Sequence, residues 1–417
     1  MYRILDAFRA LKNRWVICIL LLIQFTYGLS TITGTSNILY NLYYMNSNSI
    51  LDLDSTYLVV PEGTVLSTSN TTKEQVERVF NKLKDHQDVV AFGTYSEVTI
   101  LLDTETHDLD IKLVDAFTKS PMTSGLKDPF INGIAIDENY NDLLDLKLGK
   151  GYRFTKEDFE KKSNEQTNVF VGSFFKKFYK IGDLINDQYK IIGFLPNKYI
   201  VNANMANTYL KLDKAVIMPM ATDRYSSSES TVTRLQSNTV LKLRSDSNVK
   251  EITQILQIEG STPLKLKNLG VDIRQNIEEN TYIEIPQMVL GVSFIIFSVI
   301  GIIVTTIVSI MIRKREFGIK LALGESTAGI FGQITLENLI IGLSGMILSL
   351  IHFRWKYKTL IQMSSEINVI SALDFKLNSS IFFFIFLILI FIISISSFFI
   401  YLFIKKQELK SLIGGME

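Results

Sequence analysis

Four stretches of this chain are apolar enough, for long enough, to cross the hydrocarbon of a bilayer: Trp15 to Ile32, Pro286 to Ile312, Ile330 to His352 and Ile381 to Ile404. A crossing of ~30 Å takes about 20 helical residues, and in lipid the backbone must satisfy its own hydrogen bonds. The four runs are therefore expected to be helices. With 47% hydrophobic residues over 417 positions, the chain is too apolar for an ordinary soluble protein, and the excess sits in those runs. The sequence between the first and second reads as soluble. The one cysteine, Cys18, lies inside the first run, so a domain in the intervening stretch must rest on a hydrophobic core rather than on disulfides. A cleaved signal peptide is the weaker reading of the first run, which is long and is followed by no Ala-x-Ala-type site.

Charge sets the orientation. A formal net charge of +1 argues against a nucleic-acid partner, which calls for a strong basic excess. Arg3, Arg9, Lys12 and Arg14 precede the first run, Arg313, Lys314, Arg315 and Lys320 lie between the second and third, and Lys405, Lys406 and Lys410 follow the fourth. The positive-inside rule places all three groups, and both termini, in the cytoplasm. Arg354, Lys356 and Lys358 run against it, since this orientation puts them outside.

The expected fold class is an α-helical membrane protein with four transmembrane helices and a large α+β extracytoplasmic domain. The plan is a cytoplasmic amphipathic helix over 1–14, with Met1, Ile4, Leu5, Phe8 and Leu11 on one stripe, or else a plain extension of the first span. Spans follow at 15–35, 286–312, 330–352 and 381–404, separated by an outside domain at 36–285, a cytoplasmic segment at 313–329 and a short outside loop at 353–380, with a cytoplasmic tail at 405–417. Tyr40, Tyr43 and Tyr44 suit the outer interfacial belt. Gly291, Ser298, Gly301, Thr305, Gly342 and Gly345 permit close helix packing, or are simply ordinary membrane-helix composition.

Within the outside domain, Ser55 to Val60 reads as a strand and Asp88 to Leu102 as a strand or hairpin arm. Between them, Thr72 to Lys84 reads as a helix with Val76, Val79, Phe80 and Leu83 inward, capped by Asn70 or a neighbouring Thr. The same order recurs at Asn238 to Leu243, Asn248 to Leu256 and Pro263 to Leu269. Two βαβ-like units, over 50–102 and 236–270, thus bracket a β-rich insertion over 103–235 and together make a split α/β sandwich. Ile111 to Val114, Asn168 to Gly172, Gln188 to Phe194 and Ala215 to Pro219 are the strand-like runs of the insertion.

Catalytic and metal motifs are missing: there is no P-loop, no His-Glu-x-x-His, no paired Cys-x-x-Cys and no Gly-x-Ser-x-Gly, and no cofactor is expected. Asp103, Glu105, His107, Asp108 and Asp110 are the one ligand-type cluster, which a turn with solvated charges accounts for without a metal. Ionisable residues are nearly missing from the spans, unlike those of ion-coupled transporters. Glu337 is the exception, either paired with a neighbouring helix or snorkelling to the interface.

Between the second and third spans stands Arg313-Lys314-Arg315-Glu316-Phe317-Gly318-Ile319-Lys320-Leu321-Ala322-Leu323-Gly324-Glu325-Ser326. Its basic start suits the inner leaflet, and Phe317, Ile319, Leu321, Ala322 and Leu323 suit a partner's groove. This stretch resembles the R-x-R-E-[IF]-G-I-x-x-A-L-G signature of MacB/FtsX-type ABC transporter permeases, at Arg313, Arg315, Glu316, Phe317, Gly318, Ile319, Ala322, Leu323 and Gly324. Gln333 and Glu337 fit the family's Q-x-x-x-E. Asp137 to Tyr140, leading to Leu146-Lys147-Leu148-Gly149-Lys150-Gly151-Tyr152-Arg153-Phe154, is similar to its "Y-x-x-x-L-x-L-x-x-G-R-x-F". Gly182 to Ile185, followed by Tyr189 to Phe194, is similar to its "G-D-x-I…V-V-G" pair. Departures fall at Lys320-Leu321, Glu325 and the tail from Lys405, which lacks the usual proline.

The resemblance implies a non-catalytic permease with a porter-like outside part. Two copies, identical or different, would pair with two cytoplasmic ABC ATPase subunits that push on the 313–329 segment, and the motion would pass to the outside domain. The implied work is export of peptides, bacteriocins or lipophilic drugs with an adaptor or outside protein, in the plasma membrane of a low-GC Gram-positive bacterium. An FtsX-like regulator of a cell-wall hydrolase or a lipoprotein-release permease is the second expectation, and an ATPase-independent receptor or sensor the third.

Overall fold

The computed structural model describes residues 7, 9–12, 15–62, 71–118, 129–144, 146, 151–201, 209–223, 227–258, 262–358, 369–370 and 379–406. The expected N-terminal helix thus lies mostly outside the described residues, as do the tail from position 407, Asn70 and Lys147 to Lys150 of the quoted motif. The chain divides into two compact units, one containing the apolar helices and the other residues 40–279 with 359–374.

Among its described residues the first unit holds four helices long and apolar enough to cross a membrane, with candidate spans at Trp15–Asn37, Ile285–Ile312, Thr327–Lys356 and Ser379–Phe403. The helices that carry the first two are longer than their apolar runs, Trp15–Ser47 and Leu269–Ile312, the latter with Pro286 inside it. Their contacts are made where side chains are small. A Cβ on Gly291 would meet Ile32 Cγ1 at 3.0 Å and the Gly28 carbonyl oxygen at 3.3 Å, so the first two spans cross backbone against backbone there. A Cβ on Gly345 would lie 2.6 Å from Phe25 Cβ, and one on Gly342 would lie 2.8 Å from Leu389 Cδ1, which brings the third span against the first and fourth. Phe25, Leu29, Ile302, Ile334, Ile385 and Ile392 fill the interior of this unit.

Among the described residues, the main sheet of the second unit has nine strands, in the order β11-β1-β10-β2-β3-β9-β4-β6-β5. Its first four strands are Leu264–Asn268 (β11), Thr56–Pro61 (β1), Thr239–Leu243 (β10) and Val89–Leu101 (β2), all antiparallel neighbours. β1 and β2 are therefore parallel with β10 between them, and β10 and β11 are parallel with β1 between them. Each pair is joined by a helix, Lys73–Lys84 or Val249–Ile255, which makes two interleaved split βαβ units. Helix Lys73–Lys84 begins at Thr72, whose side chain accepts from the Gln75 N–H while the Gln75 side chain takes the Thr72 N–H, a capping box. Val76, Val79 and Leu83 recur at helical spacing and bury against Val59, Leu241 and Leu264.

β2 is long enough to serve two neighbours. Its first half pairs with β10 from Val89 to Thr94, and its second half pairs with Phe130–Ile136 (β3) from Tyr95 to Leu101. Beyond β3 the sheet is mixed, with β9 (Val216–Pro219), β4 (Thr167–Val171), β6 (Tyr189–Phe194) and β5 (Leu184–Ile185) packed over Ile131, Val169, Phe175 and Val216. A separate three-stranded sheet, β12-β8-β7, joins Val369–Ile370 (β12) from between the third and fourth spans to Tyr209–Lys211 (β8) and Tyr199–Val201 (β7).

One expected strand is a helix. Ile111 to Val114 forms the start of helix Ile111–Thr118 because Asp110 caps it: its Oδ1 accepts from the Lys112 N–H at 2.7 Å, and its carbonyl accepts from Leu113 and Val114. Leu113 and Phe117, four residues apart, then bury one helical face in the insertion core.

Candidate functional site: the elbow between the second and third spans

The segment after the second span folds as helix Lys314–Ala322 and ends in a Schellman turn. The Glu325 N–H reaches the Lys320 carbonyl and the Gly324 N–H reaches the Leu321 carbonyl, both at 3.0 Å. Gly324 holds φ +92°, a conformation that side-chain-bearing residues rarely adopt, which is why a glycine stops the helix here. Ser326 then caps the next helix, accepting from the Gly329 N–H at 3.0 Å. Two helices are thereby joined by a tight, fully bonded corner.

Each face of the elbow helix has its own environment. Phe317 and Gly318 are buried, and Leu321 is half-buried against the interior of the helical unit. Arg315, Ile319, Ala322 and Leu323 lie on the outward side, with Ile319 55% and Leu323 84% exposed. The expectation that Phe317 is offered to a partner therefore does not hold. Positions 317 and 321 share one helical face, and 319, 322 and 323 the opposite one.

Polar bonds fasten the inner face to the third span. The Arg313 guanidinium bonds both oxygens of Glu316, at 2.9 and 3.0 Å, and sends Nη1 to Glu337 Oε1 at 2.9 Å. It also lies over the Phe317 ring, 4.7 Å from its centre. Lys320 Nζ donates to Gln333 Oε1 at 2.9 Å and pairs with Glu316 at 3.3 Å, while Gln333 Nε2 donates to Glu337 Oε1 at 3.3 Å. Glu337 is 2% exposed, so its charge is held by Arg313 rather than by water. Hydrogen bonds from Arg313 hold the Glu316 carboxyl below its usual range against the opposing effect of partial burial, with Lys320 adding to the shift. At the next residue of the third span, Asn338 Oδ1 accepts from the Thr306 hydroxyl of the second span at 3.4 Å. The sequence offered Glu337 a neighbouring helix or the interface; the specific partners, Arg313 and through it Glu316, were not legible, although the charges at 313, 316 and 320 already shared a helical stripe.

In the sheet domain, the quoted motif residues occupy structural corners. Asp137 sits where β2 changes partner: its Oδ2 accepts from the Thr94 N–H at 2.9 Å and the Thr94 hydroxyl at 2.7 Å, and its Oδ1 from the Tyr140 N–H at 2.7 Å. Burial nevertheless lifts its carboxyl above the ordinary range, with Thr94, Tyr140 and Arg234 pulling the other way. Tyr140 is buried beside Tyr95, with ring centres 5.7 Å apart, and its backbone lies against Gly93, where a side chain has no room. Gly151 makes an antiparallel bridge to Gly193. The acidic cluster is a turn: Asp103 Oδ1 accepts from the N–H groups of Glu105 and Thr106, and His107 Nε2 lies 3.1 Å from Asp187 Oδ2. Among the described residues no group of three or more His, Cys, Asp or Glu could hold a metal ion.

These two regions answer to known families. The family model described as MacB-like periplasmic core domain matches residues 22–258, and the one described as FtsX-like permease C-terminal matches residues 288–409. Among solved structures, the chain is similar to the periplasmic region of MacB from Actinobacillus actinomycetemcomitans, at 17% identity over 55% of this chain and 97% of that one, with a TM-score of 0.34. It is also similar to the extracellular domain of the noncanonic ABC-type transporter YknZ from Gram-positive bacteria, at 16% identity over 51% and 100%, with a TM-score of 0.33. A domain of a putative permease protein from Porphyromonas gingivalis matches at 11% identity over 52% and 90%, with a TM-score of 0.29. No curated protein matches the chain. With the first family model alone spanning more than half of its length, and the second taking in the elbow and the spans that flank it, the chain belongs to the MacB/FtsX-type family of ABC transporter permeases.

Proposed function

We propose that the chain is the motion-relaying permease subunit of an ABC transporter. A separate cytoplasmic ATPase pushes on the elbow at Arg313 to Gly324, and the spans pass the movement to the sheet domain outside. Two permease copies, identical or different, work with two ATPase subunits, and ATP hydrolysis belongs wholly to the ATPase chains. The observation that carries this reading is the two-sided elbow. Ile319, Ala322 and Leu323 form an exposed apolar face ready for a partner's groove, while Arg313 and Lys320 on the inner side are bonded to Glu337 and Gln333 of the third span. A push on the outer face is thereby borne by the third span rather than lost in a loose loop.

The basic residues around the first, second and fourth spans support cytoplasmic termini, with the sheet domain outside. The pairing of β12 with β8 supports placing the 36–285 and 353–380 segments on one side. The scarcity of charge within the spans favours work on cargo already outside, such as a peptide, bacteriocin or lipophilic compound handed to an adaptor, over a polar path through the bilayer. The membrane is then the plasma membrane of a low-GC Gram-positive bacterium.

The test is co-purification. Ile319→Glu with Leu323→Glu should abolish recovery of a P-loop ATPase with the full-length chain while leaving membrane insertion unchanged. Undiminished ATPase recovery would overturn the coupling role. A reporter fused at Glu157 that reads cytoplasmic would overturn the orientation.

A further inference from the structure

Beside the Phe25–Gly345 contact, the first and third spans leave a cleft of about 530 Å³ lined by Leu22, Ile23, Tyr27, Ile351, His352 and Trp355 among others. Its walls are almost wholly apolar, and Ile23, Tyr27, Ile351 and Trp355 are exposed, so it opens sideways from the helices rather than into a protein interior. In a bilayer such an opening faces acyl chains. The cleft has a polar end. His352 Nδ1 lies 2.8 Å from the Ser30 hydroxyl, the Tyr27 ring is 5.1 Å from that of His352, and Trp355 follows at 6.1 Å. Aromatic side chains with one polar tip settle at the level of lipid headgroups.

Among the described residues, the third span carries charge of one sign at that end. Arg354 and Lys356 immediately flank Trp355, about 100° to either side of it around the helix, and Lys358 follows after the helix has ended. All three are exposed, and among the described residues none is held in an ion pair. They are also the three cations that the positive-inside rule leaves unexplained. A second copy of the chain packed here about a two-fold axis would bring cation against cation. An anionic headgroup would be drawn to the same place.

We propose that this cleft holds an acyl chain of an anionic glycerophospholipid from the surrounding bilayer, with its phosphate bound by Arg354, Lys356 and Lys358. Under the orientation proposed above, the lipid belongs to the extracytoplasmic leaflet. The site needs the four spans to lie in a bilayer and does not depend on the coupling role of the elbow, so ATPase binding is no part of its readout.

The chain has two tryptophans, and Trp15→Phe leaves Trp355 as the only one. The full-length variant is reconstituted into phosphatidylcholine vesicles containing phosphatidylglycerol, with bromine carried on the acyl chains of one lipid or the other. At equal mole fraction, brominated phosphatidylglycerol should quench Trp355 at least about five-fold more effectively than brominated phosphatidylcholine, the preference expected from even one basic residue near an anionic headgroup. Arg354→Gln, Lys356→Gln and Lys358→Gln together should bring the two lipids to parity. Equal quenching in the parent would mean unselective annular lipid and would overturn the proposal. Two other results would do the same: no quenching by either lipid, which would mean a cleft covered by protein, or a preference that survives the triple substitution.

Discussion

The helical unit and the sheet domain use hydrophobicity in opposite ways. In the sheet domain an apolar side chain marks the inside: Val59, Ile134, Phe175 and Val216 are all fully buried. Among the spans the large apolar residues often face outward, as Phe297, Ile300, Phe383 and Phe391 do, while Ser298, Thr306, Gln333, Asn338 and Ser349 are buried. Lipid is as apolar as leucine, so burying a leucine between spans gains little; close backbones and internal hydrogen bonds hold those helices together instead. In one half of this molecule size and oiliness specify the interior, and in the other smallness and polarity do.

The largest effect should come from the sheet core. Phe175→Ala empties a fully buried site in the insertion core and should cost about 3–5 kcal/mol, whereas Phe297→Ala on the outward face of the second span should cost under about 0.5 kcal/mol. Reversible unfolding of the detergent-solubilised full chain measures both, and equal losses would break the comparison. Next is overpacking where spans cross. Gly345→Leu drives a side chain into Phe25 and should cost about 1–3 kcal/mol, seen as a lower melting temperature of the helical unit. A neutral result would mean that the first and third spans do not pack at this level.

How far the sequence made this architecture legible follows from the same contrast. The spans announce themselves because lipid demands long apolar runs, and the first βαβ unit because Val76, Val79 and Leu83 keep a helical period between two apolar, β-branched-rich runs. β3 was missed. Asn132 and Gly133 interrupt its alternation, yet Gly133 is where the Val216 carbonyl presses against the strand and leaves no space for a side chain. That constraint comes from a residue 83 positions away and has no local mark. Helix Ser228–Ser237 was missed as well, since its serines and threonines are weak helix formers; Ser227 caps it, and Val232 and Leu235 bury it. At the elbow, the family signature was legible as a string of residues. Its division into an inner face at Phe317 and an outer face at Leu323 needed the helix boundaries fixed by Gly324.

The polar interior of the helical unit can be tested at smaller scale. Glu337→Gln leaves Glu316 as the one carboxylate bonded to Arg313 and should cost about 1–3 kcal/mol, while Glu316→Gln, at a carboxylate 46% exposed, should cost under about 1 kcal/mol. If Glu316→Gln proved the more damaging in thermal unfolding, the elbow would be held by its own helix rather than by the third span.

The buried charge of the sheet domain gives the last and smallest test, because Asp137 is surrounded by neutral donors rather than paired at close range as Glu337 is. Burial lifts its folded-state carboxyl above the unfolded range near 4, although Thr94, Tyr140 and Arg234 oppose the shift. Between those two values the native state binds the proton and the unfolded chain has released it, so stability must fall as pH rises through that window, by at most about 1.4 kcal/mol per pH unit for one group. Asp137→Asn cannot titrate. The difference in unfolding free energy between the parent and this variant should therefore shift against the parent as pH rises from about 4, and then level off. A difference that moves the other way would mean that the bonds from Thr94 and Tyr140 outweigh desolvation, and that the junction where β2 changes partners is held by an ionised carboxylate, as the elbow is.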